Sequence, residues 1–468
     1  MKRISLILLA VLTATFAWGQ DITGKWNGAL KVQGQQLRIV FNISKTESGY
    51  TSTMDSPDQG AAGIPVTTTV FENSSLTLKI LSAQIIYTAE LKDGVFKGTF
   101  KQGSFTTPMD LSREAIEKQE VKRSQDPVKP YPYRSEEVIF TNSGANVSLA
   151  GTLTLPAGEG QYPVAVLISG SGPQNRDEEL IGHKPFLILS DYLTRNGIAV
   201  LRYDDRGTAS STGVFRDATT EDLATDVEAA IAWLKTRKEI DPKHIGLIGH
   251  SEGGIIAPLV ASRSKDVSFI VMLAGTGMTG LELLPLQMAL ISKASGTSEA
   301  DLKKTNKING KIFKMVAKSN DETSLKKDLE KYLLGVVGEF PANEKPSGVN
   351  DEDFVKMLVN QIANPWMMYF MRYDPIPALK KVECPVLALN GGKDLQVPPA
   401  ENLPPIRKAL KKNKNATIIE IPGMNHLFQE CTTGSPAEYG QIDVTMSPKV
   451  LKIVTDWVLT STSRRQHP

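Results

Sequence analysis

Three features are scarce in this sequence, and the first two exclude classes of partner. The formal net charge is only +2, from 53 basic and 51 acidic residues, so no overall electrostatic bias favours nucleic acid or anionic lipid. Beyond the N-terminus, no stretch approaches the ~20 apolar residues that a membrane-spanning helix needs. We therefore expect no nucleic-acid partner, no membrane span, and a small or neutral substrate.

Cysteine is the third scarce feature, with only 2 residues, Cys384 and Cys431. Cys384 lies where a strand is predicted to begin, whereas Cys431 follows a loop at the opposite, carboxyl end of the predicted sheet. Disulfide-bridged Cα atoms lie within ~7 Å of each other, and this placement separates the two by ~20 Å. We predict that no disulfide joins them.

The N-terminus has the three parts of a secretory signal peptide. Two basic residues precede an apolar run at 4–14, and small residues follow at Ala17 and Gly19. The pattern predicts a signal peptide over residues 1–19 with cleavage before Gln20. We therefore expect an exported protein, periplasmic or secreted, in which disulfides would be allowed.

Composition divides the rest of the chain at a predicted linker. Residues 20–115 contain short β-branched and aromatic runs separated by Gly, Asn, Asp and Ser, which predicts a small all-β sandwich or barrel. Residues 116–135 are first charged and then proline-rich, as linkers often are. We interpret Trp26 and Tyr50 as core residues of the β domain; a polysaccharide or protein contact through this domain is the alternative.

Residues 136–468 alternate apolar runs with helix-like segments after an antiparallel entry hairpin. Such alternation predicts an α/β domain, a mostly parallel sheet with helices on both faces. The interval at about 280–379 contains several helix-like stretches and no clear strand, so we predict a helical cap inserted between two strands. A cap there would cover the carboxyl edge of the sheet, where ligands bind in α/β proteins.

The pentapeptide Gly-His-Ser-Glu-Gly at 249–253 lies where a predicted strand gives way to a predicted helix. A sharp strand-to-helix turn leaves no room for a Cβ on either side of Ser251, and it lifts the serine hydroxyl above the sheet edge. A serine is a poor nucleophile unless a base removes its proton, and the base needs an acid that orients it. The partners of Ser251 should therefore follow later strands.

Candidate partners follow the last two predicted strands. Asp394 comes after the run VLALNG, and His426 lies in the loop after the run ATIIEI. The order Ser251, Asp394, His426 gives a nucleophile, an acid and a base in one direction along the sheet. Asp443 is an alternative acid, and we interpret His250 as a structural residue that points away from the nucleophile.

Further candidates would bind the substrate. The developing negative charge on a carbonyl oxygen needs preset N–H donors, and the backbone N–H of Glu252 is the first by position. The second donor should come from the glycine-rich loop at 169–173, where we favour Ser171 and then Gly172. Three aromatic residues of the cap are candidates for the substrate pocket, with a core role as the alternative: Trp366, Tyr369 and Phe370. We interpret a further group as an ion-pair and hydrogen-bond network that holds loops at the sheet edge, with substrate contact as the alternative: Arg176, Asp177, Asp204, Asp205 and Arg206.

Five motifs occur in order along residues 138–459: LISGSGPQNRDE, RYDDRG, GLIGHSEGG, LALNGGKDLQVPP and PGMNHLF. Together they resemble the α/β-hydrolase superfamily, and within it the exported bacterial carboxylesterases of the EstD type, which also have a small N-terminal β domain. The resemblance implies an α/β-hydrolase fold in which Ser251 is the nucleophile, His426 the base and Asp394 the acid. It also implies activity on short acyl esters and no metal or organic cofactor.

The leading hypothesis is a serine hydrolase that cleaves small-molecule carboxylic esters through an acyl-enzyme. One alternative is a serine peptidase or aminopeptidase, because the same triad cleaves amides. An aminopeptidase would need an acidic anchor for the substrate amine, and the cap sequence shows no obvious one. The other alternative is an inactive hydrolase fold that serves as a binding module.

Overall fold

A computed structural model describes residues 21–463 apart from 33–34, 60, 104, 118–121, 341–344 and 346–348. The predicted signal peptide, residues 1–19, lies outside the described residues. Within the described part of the chain, no helix is both long enough and apolar enough to cross a membrane.

The N-terminal region consists of two antiparallel sheets packed face to face. Alternating residues such as Leu76, Leu78 and Ile80 are fully buried between them, which is the period-2 pattern of a half-buried strand. The first sheet has the order β1-β2-β3-β4, with β1 (Gly24–Val32), β2 (Gln35–Thr46), β3 (Gly49–Ser56) and β4 (Ala61–Pro65). The second has the order β5-β6-β7-β8-β9, with β5 (Thr68–Glu72), β6 (Ser75–Ile80), β7 (Ile85–Lys92), β8 (Val95–Gln102) and β9 (Phe105–Pro108).

Trp26 and Tyr50 both belong to the core of these sheets. The Trp26 side chain is buried and its ring centroid lies 4.4 Å from that of Phe96. Tyr50 packs edge-on against Phe71 at 6.3 Å. The core interpretation is therefore confirmed for Trp26, and Tyr50 is partly buried and packs against the same core.

The second region is built on an 8-stranded sheet with the order β10-β11-β13-β12-β14-β15-β16-β17. Strand β11 pairs antiparallel with both of its neighbours, and the remaining pairs are parallel. The strands are β10 (Arg134–Asn142), β11 (Val147–Leu155), β12 (Tyr162–Ile168), β13 (Ala199–Tyr203), β14 (Ile240–His250), β15 (Val267–Leu273), β16 (Val386–Gly391) and β17 (Ala416–Ile421).

Helices cover both faces of this sheet, and every residue of strand β15 is buried. The packing helices are α1 (Pro185–Arg195), α2 (Thr220–Leu234), α3 (Gly253–Ala261), α10 (Pro399–Ala409) and α11 (Pro448–Ser463). Helix α2 begins with a capping box, in which Thr219 accepts from the Asp222 N–H and Asp222 accepts from the Thr219 N–H. The predicted α/β-hydrolase fold class is confirmed.

In the described residues between β15 and β16 there are six α-helices: α4 (Gly280–Ala294), α5 (Glu299–Lys318), α6 (Glu322–Val336), α7 (Asp351–Ile362), α8 (Pro365–Arg372) and α9 (Ile376–Leu379). They have an apolar core of their own. Helix α7 also packs on the N-terminal sheets, because Phe354 and Met357 share an apolar cluster with Leu81 and Ile86. The cap thus lies between the β domain and the parallel sheet.

The chain between the two regions is fastened to loops of the hydrolase domain. The Arg123 guanidinium donates to the carbonyl oxygens of Ile181 and Ile442, and the Gln125 side chain bonds the backbone of Met446. The Cys431 thiol is free, which agrees with the prediction that no disulfide joins it to Cys384.

Candidate active site

Ser251 occupies a strained turn between β14 and α3. Its φ is +52°, a left-handed conformation that is costly for a residue other than glycine. A Cβ at Gly249 would lie 1.9 Å from the carbonyl oxygen of Gly253, and one at Gly253 would lie 2.1 Å from that of Ile168. The Ser251 N–H donates to the Leu273 carbonyl at 2.8 Å, which ties the turn to the neighbouring strand. The two glycines are therefore required, as predicted.

His426 and Asp394 meet at the same edge of the sheet. The distance from His426 Nδ1 to Asp394 Oδ2 is 2.8 Å, and both side chains are buried. Because an ionised carboxylate only accepts hydrogen bonds, the proton lies on Nδ1 and Nε2 keeps a lone pair. Within the described residues Nε2 has no hydrogen-bond partner, while Ser251 and His426 both line one cavity.

Asp394 is held in place by its own loop. Its Oδ1 accepts from the backbone N–H groups of Gln396 at 2.8 Å and Val397 at 2.9 Å, so it also caps the following turn. The alternative acid, Asp443, instead accepts a hydrogen bond from the Ser124 hydroxyl. Of the two candidate acids, Asp394 is therefore the one whose carboxylate contacts His426.

The glycine-rich loop after β12 lies against Ser251. A Cβ at Gly170 would be 3.2 Å from that of Ser251. Asp205 holds the loop, since its carboxylate accepts from the Ser169 hydroxyl at 2.9 Å and from the Gln174 N–H at 3.0 Å. Burial raises the pKa of Asp205 well above its ordinary value, while these hydrogen bonds oppose the shift.

The two candidate oxyanion donors of this loop differ in position. Ser171 lines the cavity, whereas Gly172 is not among the lining residues. Glu252, the other candidate, directly precedes the first residue of α3, so its N–H lies at a helix N-terminus that favours negative charge. The structure therefore brings Glu252 and Ser171 to Ser251, and it does not bring Gly172 into the cavity wall.

The cavity has a volume of about 310 Å³ and lies between the sheet edge and the cap. Its apolar wall comes from α4, α8 and three loops, and its polar wall includes three glutamines. The apolar residues are Leu180, Leu283, Leu284, Trp366, Phe370, Val397 and Leu427, and the glutamines are Gln174, Gln287 and Gln396.

Two of the three predicted pocket aromatics line this cavity. Trp366 and Phe370 stack with centroids 4.9 Å apart, and both face the cavity. The expectation for Tyr369 was wrong. Its ring stacks on Tyr373 and its hydroxyl lies 3.4 Å from a carboxylate oxygen of Glu221. Positions four apart share a helix face, whereas position 369 is rotated by about 100° from 370.

The Glu252 side chain links the cap to the nucleophile turn, a role that the sequence did not reveal. Trp366 Nε1 donates to both of its carboxylate oxygens, at 2.9 and 3.0 Å, and Thr220 Oγ1 donates at 2.7 Å. Burial raises the pKa of Glu252, and hydrogen bonds from Thr220, Trp366 and Ser171 oppose the shift. A buried, hydrogen-bonded carboxylate thus fixes α8 over the turn.

His250 also lines the cavity, so the expectation that it points away from the nucleophile was wrong. Its Nδ1 lies 2.9 Å from Glu178 Oε1, and its Nε2 lies 3.0 Å from the carbonyl oxygen of His426. His250 is the last residue of β14, where the strand gives way to the turn. Glu178 belongs to the motif GPQNRDE, which was the available signal.

The predicted ion-pair network at the sheet edge is present. Arg176 binds the Asp204 carboxylate at 2.8 Å, and Arg206 binds Asp226 at 2.7 Å. Asp177 pairs with the buried Arg202, whose pKa burial lowers to about 10. These contacts fix the loops that follow β12 and β13. The residues that form them do not line the cavity.

The sequence profile of the X-Pro dipeptidyl-peptidase (S15) family matches residues 143–420, more than half of the chain. The chain belongs to the S15 family. Esterase EstD of Thermotoga maritima is 25% identical to this S15 chain over 394 residues, which cover 81% of each protein. The predicted membership of the α/β-hydrolase superfamily and the resemblance to esterases of the EstD type are confirmed.

Solved structures also resemble this S15 chain. Est1E of Butyrivibrio proteoclasticus, solved with ferulic acid bound, is 19% identical with a TM-score of 0.39 and covers 70% of this chain and 99% of its own. The Pyrococcus furiosus esterase Pf2001 is 15% identical with a TM-score of 0.44 and covers 70% and 91%. The family match and the similarity to EstD together indicate that the S15 chain is a serine hydrolase.

Proposed function

We propose that this serine hydrolase is a carboxylesterase acting on short acyl esters through an acyl-enzyme. Ser251 attacks the ester carbonyl while His426 Nε2 accepts its proton, and Asp394 stabilises the resulting imidazolium. The backbone N–H groups of Glu252 and Ser171 bind the oxyanion. His426 then protonates the leaving alcohol, and water repeats the cycle to release the acid.

One observation carries this proposal, the 2.8 Å bond from His426 Nδ1 to Asp394 beside a cavity that Ser251 also lines. The bond leaves Nε2 as the acceptor that a nucleophilic serine requires. The left-handed φ of Ser251 supports the same role, because strain of this kind is typical of nucleophile turns.

A dipeptidyl-peptidase activity is the second candidate, because the family profile is described by that activity. Such an enzyme would bind the substrate amine with a carboxylate. Of the described residues that line the cavity, Glu178 is the carboxylate, and its Oε1 already accepts from the Gly170 N–H at 2.7 Å and faces His250. Its Oε2 has no hydrogen-bond partner among the described residues, but that oxygen is buried. Because Oε1 is engaged and Oε2 is buried, we favour an ester over a peptide substrate.

The size of the cavity supports a short acyl group. A volume of about 310 Å³ must hold both halves of the ester, and Leu283, Trp366 and Phe370 bound its apolar side. Pockets for drug-sized ligands span ~300–1,000 Å³, so this one is at the small end. Acetyl and butyryl esters should therefore be accommodated better than octanoyl esters.

A fluorophosphonate probe and a substrate panel test the proposal. We expect the probe to label wild-type protein at Ser251 and to leave Ser251→Ala unlabelled. We expect p-nitrophenyl acetate and butyrate to be cleaved faster than the octanoate, and all three far faster than alanyl-prolyl-p-nitroanilide. Absence of labelling would refute the nucleophile, and preferred cleavage of the anilide would favour the peptidase.

We also propose that the protein is exported, from the signal-peptide pattern at residues 1–19. Expression of the full chain in a Gram-negative host should yield a periplasmic or secreted product beginning at Gln20. N-terminal sequencing checks this, and retention of Met1 would contradict it.

A further inference from the structure

A second acid–histidine pair forms part of the cavity wall, and ester cleavage as proposed gives it no task. His250 and Glu178 are both buried, with 7% and 5% of their surface exposed. His250 Nδ1 lies 2.9 Å from Glu178 Oε1. The ring of His250 lies beside that of His426, with centroids 4.7 Å apart.

The hydrogen bonds of His250 determine its protonation. One ring nitrogen faces the Glu178 carboxylate, and the other faces the carbonyl oxygen of His426 at 3.0 Å. Both partners are acceptors, but a neutral imidazole has only one N–H. Both bonds form together when His250 is an imidazolium, which makes His250 and Glu178 a buried ion pair.

The electrostatic surroundings agree with that state. Burial alone would lower the pKa of His250, but the Glu178 carboxylate, the His426 carbonyl and the charge of Asp394 raise it above the ordinary value. Asp205, from the loop after β13, interacts electrostatically with Glu178 and with Glu252 at the start of α3. The titratable groups packed around His250 are thus mainly acidic, and His426 is the nearby base.

The pair connects the two loops that the reaction uses. Glu178 Oε1 accepts from the Gly170 N–H at 2.7 Å, next to the candidate oxyanion donor Ser171. On the other side, His250 Nε2 donates to the backbone of His426. A chain of three hydrogen bonds therefore runs from the oxyanion loop to the base, passing beside Ser251.

We propose that His250 and Glu178 are positioning residues, in which the imidazolium of His250 holds the His426 backbone while Glu178 holds the oxyanion loop. This inference rests on the proposed esterase function. Loss of the His250 proton at alkaline pH places a lone pair against one of the two acceptors and breaks the chain of hydrogen bonds. Activity then falls although Ser251, His426 and Asp394 are intact.

Glu178→Gln provides the sharpest test, because it preserves size and removes the charge that supports the imidazolium. In kcat/KM for p-nitrophenyl acetate from pH 5 to 10, we expect the alkaline decline of this variant to begin at least one pH unit below that of the wild type. A shift of one pH unit corresponds to 1.36 kcal/mol between protonation states. A purely packing role would lower activity equally at every pH, and an unchanged alkaline decline would overturn the inference.

His250→Gln should lower kcat about tenfold to a hundredfold at pH 7, as misplacement by about 1 Å does elsewhere, with a smaller change in KM. It should also lose the alkaline decline that depends on His250. His244→Gln is the matched control, since His244 lies in the N-terminal half of β14 and pairs with Asp241 outside the cavity. Its pH profile should follow the wild type.

Fluorophosphonate labelling separates the two possible failures. If wild-type Ser251 is labelled and active while Glu178→Gln keeps the wild-type profile, the inference fails and the esterase proposal stands. If wild-type Ser251 is neither labelled nor active on esters, the proposed function fails and takes the inference with it. Thermal unfolding of each variant confirms that the comparison is made between folded proteins.

Discussion

Two acid–histidine pairs lie side by side at the carboxyl edge of the sheet, and they differ in what the second ring nitrogen faces. In the pair of Asp394 and His426, Nδ1 is bonded at 2.8 Å and Nε2 keeps its lone pair beside the cavity. In the pair of Glu178 and His250, Nε2 is occupied by a backbone carbonyl. Similar residue types thus suit a general base in one case and a fixed cation in the other.

A third pair, Asp241 and His244, shows the same contact away from the cavity. Their side chains meet at 2.7 Å at the amino end of β14, where Asp241 is partly exposed. A carboxylate within hydrogen-bond distance is therefore not enough to mark a catalytic histidine. The free nitrogen must also face the reacting atoms.

The largest expected effect separates the first two pairs. Asp394→Asn should lower kcat by about 10⁴-fold, because the amide favours the wrong tautomer of His426. Glu178→Gln should cost no more than about a hundredfold at pH 7. Steady-state kinetics on p-nitrophenyl acetate measure both values. Equal losses in the two variants would break the distinction between a catalytic acid and a positioning residue.

The next effect concerns stability. Because the folded-state pKa of His250 is raised, its charged form contributes stability that is complete below the unfolded value of about 6.5 and is lost as pH rises through the folded value. We expect wild type to exceed the double variant Glu178→Gln/His250→Gln by about 2 kcal/mol in free energy of unfolding at pH 6. Urea denaturation should show this difference shrinking toward pH 10; a difference that grows would contradict the ion pair.

A smaller effect is expected at the contact between the cap and the turn. Trp366→Phe keeps the stack on Phe370 but removes the N–H that donates to Glu252, so the cap should be held less firmly. We expect KM for p-nitrophenyl butyrate to rise about threefold to tenfold, the equivalent of one hydrogen bond, with less change in kcat. Tyr369→Phe, on the same helix but outside the cavity wall, is the control and should match the wild type.

The smallest effect is expected at the third pair. His244→Gln should leave kcat and KM unchanged and alter the free energy of unfolding by less than about 1 kcal/mol, because the carboxylate partner Asp241 is partly exposed. The same kinetic and urea measurements apply. A loss of activity comparable to that of His250→Gln would mean that distance from the cavity does not separate the pairs.

The fold and the meeting of Asp394 with His426 could be predicted because both follow from one-dimensional patterns. Apolar runs of strand length identify the parallel sheet, and residues directly after such runs must gather at its carboxyl edge. The glycines at 249 and 253 indicate a turn in which a Cβ at either position would clash with the backbone. Apolar periodicity and turn chemistry are local properties, so they can be predicted from the sequence directly.

The errors concern residues whose direction depends on neighbours distant in sequence. Tyr369 belongs to the same short helix as Trp366, and only the docking of α8 on Glu252 decides which face meets the cavity. His250 turns toward Glu178, a residue 72 positions earlier. Contacts between side chains so distant in sequence cannot be predicted from the periodicity of apolar residues.

By itself, the sequence determined the fold class, the nucleophile turn and the order of the residues that meet around it, because apolar periodicity and the need for glycine act over a few neighbouring residues. Only the tertiary structure decided which histidine keeps a free nitrogen beside Ser251 and which one is held by acceptors on both sides. The physical reason is that an imidazole's protonation and direction depend on the acceptors around it, and here these come from three separate loops.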